Sequence, residues 1–159
     1  MKFDLLIRNG QLVDGTGAPA VRADLGTRGD RIAAIGDLSG AEGESVIEAG
    51  GRIVCPGFID THSHSGLVAL CTPDLPHNVM QGITTCVVGQ DAMGAAPMVD
   101  AFVQPWKKAM AGLEGSHNLD WGWRSVSDYL DRLDSVDLGP NFAYLAPHGN
   151  IRMCVMGLD

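Results

Sequence analysis

The residues best suited to chemistry are two histidines one residue apart, His62 and His64, which close the stretch IVCPGFIDTHSHS. In an extended chain, side chains at i and i+2 project to the same face, so the two imidazoles point together with Asp60 behind them. Paired neutral imidazoles at the end of a buried strand suit a divalent transition metal, most often zinc, and a nearby carboxylate orients a ring through its second nitrogen. Two ligands do not complete a tetrahedral site. Loop histidines that bind nothing are the plain alternative, and the surrounding residues weigh against it.

A second run, ITTCVVGQDAMGAAP, opens with β-branched residues and closes in Gly, Asp and Pro, the pattern of a buried strand and its loop. Counting back by two from Asp91 gives Gly89, Val87 and Thr85, which leaves Cys86 pointing the other way, toward covering helices. Parity therefore favours Asp91 over Cys86 as a ligand. A third apolar run, PNFAYLAPHGNIRMCVMG, reads as a strand ending in Pro147-His148-Gly149. His77 reads as a surface residue of a short helix and His117 as a loop residue.

The elements that must hold these residues follow from turn chemistry and periodicity. Residues 1 to 54 read as short strands of a small β-sheet domain, with hairpin signals at Asn9-Gly10 and Gly29-Asp30. The tripeptide Arg28-Gly29-Asp30 is what a hairpin turn requires. From residue 55 onward, strands alternate with helical patterns. A short helix is expected over Pro76 to Gln81 with Gly82 as its stop. MVDAFVQPWKKAMAGL has helical spacing that Pro105 should break, and GSHNLDWGW reads as a loop. SVSDYLDRLD gives the clearest helix, with Ser125 as N-cap and Asp128 three residues on.

Composition narrows the classes. A chain of 159 residues with 45% hydrophobic content, 19% charged residues and 21 glycines is a globular sequence rich in tight turns. The formal charge of −8 and a pI near 4.9 argue against nucleic acid or an anionic membrane as partner, since both need clustered Lys and Arg. No apolar run approaches a membrane span and no leader pattern opens the chain, which makes a cytoplasmic protein the expectation. Four cysteines, Cys55, Cys71, Cys86 and Cys154, without a C-x-x-C pair read as small buried residues kept reduced.

Four stretches, PGFIDTHSH, QGITTCVVGQDAMGAAP, WGWRSVSDYLDRL and YLAPHGNIRMCVMG, together resemble the N-acyl-D-amino-acid deacylases, or D-aminoacylases, of the metal-dependent amidohydrolase superfamily. The resemblance implies an α/β fold, with an N-terminal β-sandwich segment (1–54) and then the first strand-helix units of a (β/α)8 TIM-like barrel (55–159). Such a barrel takes roughly 250 residues, so the barrel is incomplete here and its remainder is needed. The implied reaction is hydrolysis of the amide of a small N-acyl-D-amino acid to a carboxylate and a D-amino acid. In it, one or two zinc ions acidify water and polarise the scissile carbonyl while a carboxylate shuttles the proton. His62 and His64 match the family's metal-binding pair. Where many members carry Asn-Cys-Gly, with the cysteine on zinc, this chain has Gln90-Asp91-Ala92. Asp91 is therefore expected at a ligand position, a harder donor that admits manganese or cobalt more readily. His148, at the C-terminal end of the third strand, is a candidate to face substrate or to support the ligands, with structural packing as the plain alternative, and the general base is expected to lie beyond Asp159. A cyclic-amide amidohydrolase of the dihydropyrimidinase or dihydroorotase type shares the first stretch but not the other three. A truncated, non-catalytic fragment is the reading outside the enzymes.

Overall fold

The computed structural model describes residues 1–158, which form two units, 1–56 and 57–158. The first unit is a single five-stranded mixed sheet. Its strands are β1 (Lys2–Leu12), β2 (Val21–Arg28), β3 (Arg31–Gly36), β4 (Glu42–Glu48) and β5 (Ile53–Val54). The order is β3-β2-β1-β4, with β5 also on β1; β1–β2 and β2–β3 are antiparallel, and β4 and β5 lie parallel to β1. Phe3, Leu6, Leu38 and Ala41 make its buried cluster.

Of the two expected hairpins, one forms. Gly29 turns β2 into β3 with φ +56, a value glycine adopts without steric cost. Asn9-Gly10 instead sits inside β1. The β1–β2 register shifts between Ile7 and Gly10, and Asn9, at φ 56, donates its backbone N–H to Asp24 Oδ1 (2.8 Å) and its Nδ2 to Glu48 Oε1 (2.9 Å). The signal marked a β-bulge in a continuous strand, which needs the same left-handed residue as a turn.

In the second unit, β6 (Phe58–Asp60), β7 (Ile83–Val88) and β8 (Asn141–Tyr144) form a parallel sheet in the order β6-β7-β8. The helices are α1 (Gly66–Cys71), α2 (Pro76–Val79), α3 (Val103–Glu114), α4 (Val126–Asp134) and α5 (His148–Met156). The apolar stretch leading to the histidines is divided. Ile53–Val54 joins the first sheet, Pro56-Gly57 breaks the pairing, and Phe58–Asp60 begins the second sheet as an edge strand. Phe58 and Ile59 are exposed among the described residues, which hold three strands of this sheet, and Cys55 and Cys71, expected to be buried, are exposed as well. Along β7, by contrast, Cys86 and Val88 are buried while Ile83, Thr85 and Val87 are half-buried, the alternation expected of a strand with one face against helices.

Three helical readings change. Pro105 does not break α3, because it is the third residue of the helix, where the first-turn N–H groups lack intrahelical partners anyway. The last apolar run is strand only to Tyr144. From His148 it is α5, with Pro147 as N-cap, since a short apolar run does not by itself separate helix from strand. Helix α1, directly after the histidines, was not anticipated. The shorter helix ends at Val79, with Gly82 at φ +81 beyond it. The core of this unit gathers Leu67, Leu70, Leu75, Met98, Met110, Trp121, Trp123, Tyr129, Leu133 and Met153. No helix among the described residues is long and apolar enough to cross a membrane.

Helix α4 carries a complete capping box: Asp128 N–H donates to Ser125 Oγ (3.1 Å) and Ser125 N–H to Asp128 Oδ2 (2.9 Å). Replacing Ser125 with Ala is expected to lower stability by about 1 kcal/mol, read as a lower urea midpoint at unchanged slope.

Candidate metal centre

Strand β6 stops at Asp60, so His62 and His64 stand on the segment between β6 and α1. The alternation of an extended chain persists there. Ser63 and Ser65 are buried, His62 is exposed and His64 half-buried. The buried serines anchor the segment: Ser63 N–H donates to Val87 O of β7 (3.0 Å), and the two hydroxyls lie 2.7 Å apart. At its far end Leu67 N–H donates to the buried Glu114 carboxylate of α3 (2.5 Å). Asp60 does not orient an imidazole. The chain bends after it, and its Oδ1 accepts the backbone N–H of His62 instead (3.1 Å).

The third residue arrives from the segment after β7. Asp91 lies three residues beyond Val88, the last residue of the strand, and it is placed by a left-handed turn rather than by strand parity: Asp91 has φ 57 and Ala92 φ 61. Gln90 ties this turn to the histidine segment by donating Nε2 to Thr61 O (2.5 Å). The result is that His62 Nε2 and His64 Nε2 each lie 3.0 Å from the same oxygen, Asp91 Oδ2. The two rings meet edge to face with centroids 5.3 Å apart.

Two imidazole nitrogens and a carboxylate oxygen, all within 4.8 Å of one another, make a donor set that fits a divalent cation. Tetrahedral zinc at ordinary bond lengths wants its ligand atoms about 3.4 Å apart, so only small movements separate this arrangement from a three-ligand face with a further position open. The hydrogen bond from His62, with a smaller contribution from His64, holds the Asp91 carboxyl below the usual carboxylate range, in the ionised form a ligand requires. Cys86 points away, fully buried, with Asn78 Nδ2 3.5 Å from its sulfur, and burial pushes its thiol up.

His148 is not in this group. It is exposed at the first position of α5. His77 is exposed on α2, and His117 donates its Nε2 to Glu114 O (2.6 Å). Two residues that hold the site, Gln90 and Glu114, were not singled out by their types or spacing. Nothing in a local pattern shows that a polar side chain is bonded to backbone many residues away.

The amidohydrolase family profile matches residues 45–157. The chain is 40% identical over 154 residues to the D-aminoacylase of Alcaligenes xylosoxydans xylosoxydans and 42% identical over 155 residues to that organism's N-acyl-D-glutamate deacylase. These matches cover 97% and 98% of this chain but only 31% and 30% of the relatives. Among solved structures, N-acyl-D-glutamate deacylase from Bordetella bronchiseptica, complexed with zinc and a phosphonate inhibitor, superposes with a TM-score of 0.85 at 42% identity. That match covers 98% of this chain and 32% of that one. The chain belongs to the amidohydrolase family. Within it, the D-aminoacylases are what it resembles over nearly its whole length, spanning about a third of theirs.

Glu114 supplies a test of how the histidine segment is held. Burial pushes its carboxyl from 4.5 up to about 7, against the opposing effect of the Leu67 and Val68 N–H groups. The fold thus favours the protonated form. Its stabilising contribution is full below about pH 4.5 and is lost as pH rises through about 7, a change on the order of 3 kcal/mol. Glu114→Gln keeps an acceptor for Leu67 without the charge. The urea midpoint of the variant is expected to match the parent near pH 4.5 and exceed it at pH 8.

Proposed function

We propose that the whole protein is a zinc-dependent hydrolase that cleaves the amide bond of N-acyl-D-amino acids, releasing a carboxylate and a D-amino acid. The observation that carries this reading is the convergence of His62, His64 and Asp91 on one point, in a chain 40% identical to a D-aminoacylase. The three parallel strands β6, β7 and β8 serve as the first strands of a (β/α)8 barrel whose remaining units and general base come from the rest of the protein.

In this reading His62, His64 and Asp91 hold the metal. A divalent ion supplies Lewis-acid polarisation of the scissile carbonyl and acidifies water near neutral pH. The chain's own residues set the geometry. The Asp91 carboxylate draws the two imidazoles together, and the anchored serines and Glu114 keep the histidine segment from moving. His148 opens α5 beside the Asp91–Ala92 turn, since a Cβ on Gly149 would lie 2.5 Å from Ala92 O, and this nearness supports the reading that His148 faces substrate. The resemblance implies a thiolate at this position in many family members; a carboxylate makes the site harder, so manganese and cobalt should substitute for zinc with less loss.

With metal-replete full-length protein, N-acetyl-D-amino acids, N-acetyl-D-glutamate among them, should release free amino acid while the L enantiomers do not. Inactivity on both enantiomers with turnover of a cyclic ureide overturns the reading. Asp91→Ala should lower bound zinc and activity together by about two orders of magnitude, Asp91→Cys should retain zinc, and Cys86→Ala should change neither.

A further inference from the structure

The turn that presents Asp91 is an unfavourable one. Asp91 and Ala92 both have left-handed backbone angles, which cost roughly 1 to 2 kcal/mol for each residue bearing a Cβ, so the turn persists only where its surroundings enforce it. Its own closure is one backbone bond, Met93 N–H to Gln90 O (2.9 Å). The stronger constraint comes from Asn150 in α5, whose side chain is fully buried. Asn150 Nδ2 donates to Gly94 O (2.9 Å) and to Pro97 O (3.2 Å), and its Oδ1 accepts from Gly94 N–H (3.0 Å). Both amide hydrogens and the carbonyl are therefore spent on the segment that begins at Asp91. The helix is also pressed against the turn, because the backbone of Gly149 approaches Ala92 O too closely to admit a Cβ. Trp106 Nε1 supplies a second donor to Gly94 O (2.8 Å), so the Gly94 peptide is gripped from α3 and α5 together.

We propose that Asn150 is a positioning residue for the Asp91 ligand: it clamps the turn after β7 to α5 and thereby holds Oδ2 where both imidazoles reach it. This rests on the reading of Asp91 as a metal ligand. A buried asparagine that merely fills and satisfies the core would affect stability without regard to Asp91; a positioning residue must act through it.

A double-mutant cycle on full-length protein separates the two. Asn150→Asp is nearly isosteric but turns an acceptor toward the Gly94 and Pro97 carbonyls. Asn150→Ser, smaller and uncharged, covers the case in which the buried acid does not fold. Zinc affinity is measured by chelator competition in the parent and in Asp91→Ala, with the thermal midpoint recorded for each. Asn150 substitution is expected to weaken zinc about 10- to 100-fold in the parent and by less than about 3-fold when Asp91 is already Ala. The absorption spectrum of the cobalt-loaded Asn150 variant should also shift from that of the parent. Equal loss in both backgrounds, or a lowered thermal midpoint with unchanged zinc affinity and cobalt spectrum, overturns the proposal and leaves Asn150 a packing residue. If Asp91→Ala alone leaves zinc affinity unchanged, the ligand assignment fails and the proposal with it.

Discussion

One carboxylate oxygen organises this unit of the protein. Asp91 Oδ2 lies 3.0 Å from the Nε2 atoms of both His62 and His64, and neither partner segment is a regular element at that point. The segments after β6 and β7 leave adjacent parallel strands in the same direction, so their first residues are close by construction. Closeness alone does not aim three side chains at one point. That requires the Ser63 backbone bond to β7, the Gln90 bridge to Thr61 and the left-handed pair Asp91-Ala92 acting together.

Side chains hold the backbone around these segments. Trp106 and Trp123 donate their indole N–H groups to Gly94 O and Ala95 O, and Tyr144 donates to Ala96 O while accepting from Ala96 N–H. An irregular segment buried against helices must find partners for polar backbone groups that no ladder satisfies, and each one left unpaired costs on the order of 1 to 3 kcal/mol. The aromatic residues solve this while filling the core. Tyr129 meets Tyr144 at 5.1 Å and Trp123 at 5.6 Å, both tilted, and Trp121 stacks on Trp123 at 5.3 Å. Trp123 of the loop WGW is thus a structural support of the site's second segment, with Trp121 stacked on it.

Glu114 illustrates the opposite economy. Its carboxylate, without a cationic partner among the described residues, is buried to accept N–H groups at the start of α1, three residues after His64. Burial disfavours its charge, and the shift of its carboxyl toward neutrality is the physical expression of that conflict. The gain is a fixed exit for the histidine segment, which the buried serines and the Gln90 bond to Thr61 O hold elsewhere.

The His-x-His pair, the strand before Asp91, the helix capped by Ser125 and the sheet character of the first 54 residues were all legible in the sequence, because each is written in local periodicity or turn chemistry. The spacing of His62 and His64 puts both on one side wherever the chain is extended, strand or not. Parity named Asp91 rather than Cys86, yet the strand ends before Asp91, and a two-residue left-handed turn decides where its carboxylate goes. The bulge at Asn9, the division of the IVCPGFID stretch between two sheets, and the switch from strand to α5 at His148 depend on which strand lies alongside, and no window of sequence contains its partner. The roles of Gln90, Glu114 and Asn150 belong to the same class. Each is a polar side chain bonded to backbone between 29 and 56 positions away, so only the folded chain brings donor and acceptor together.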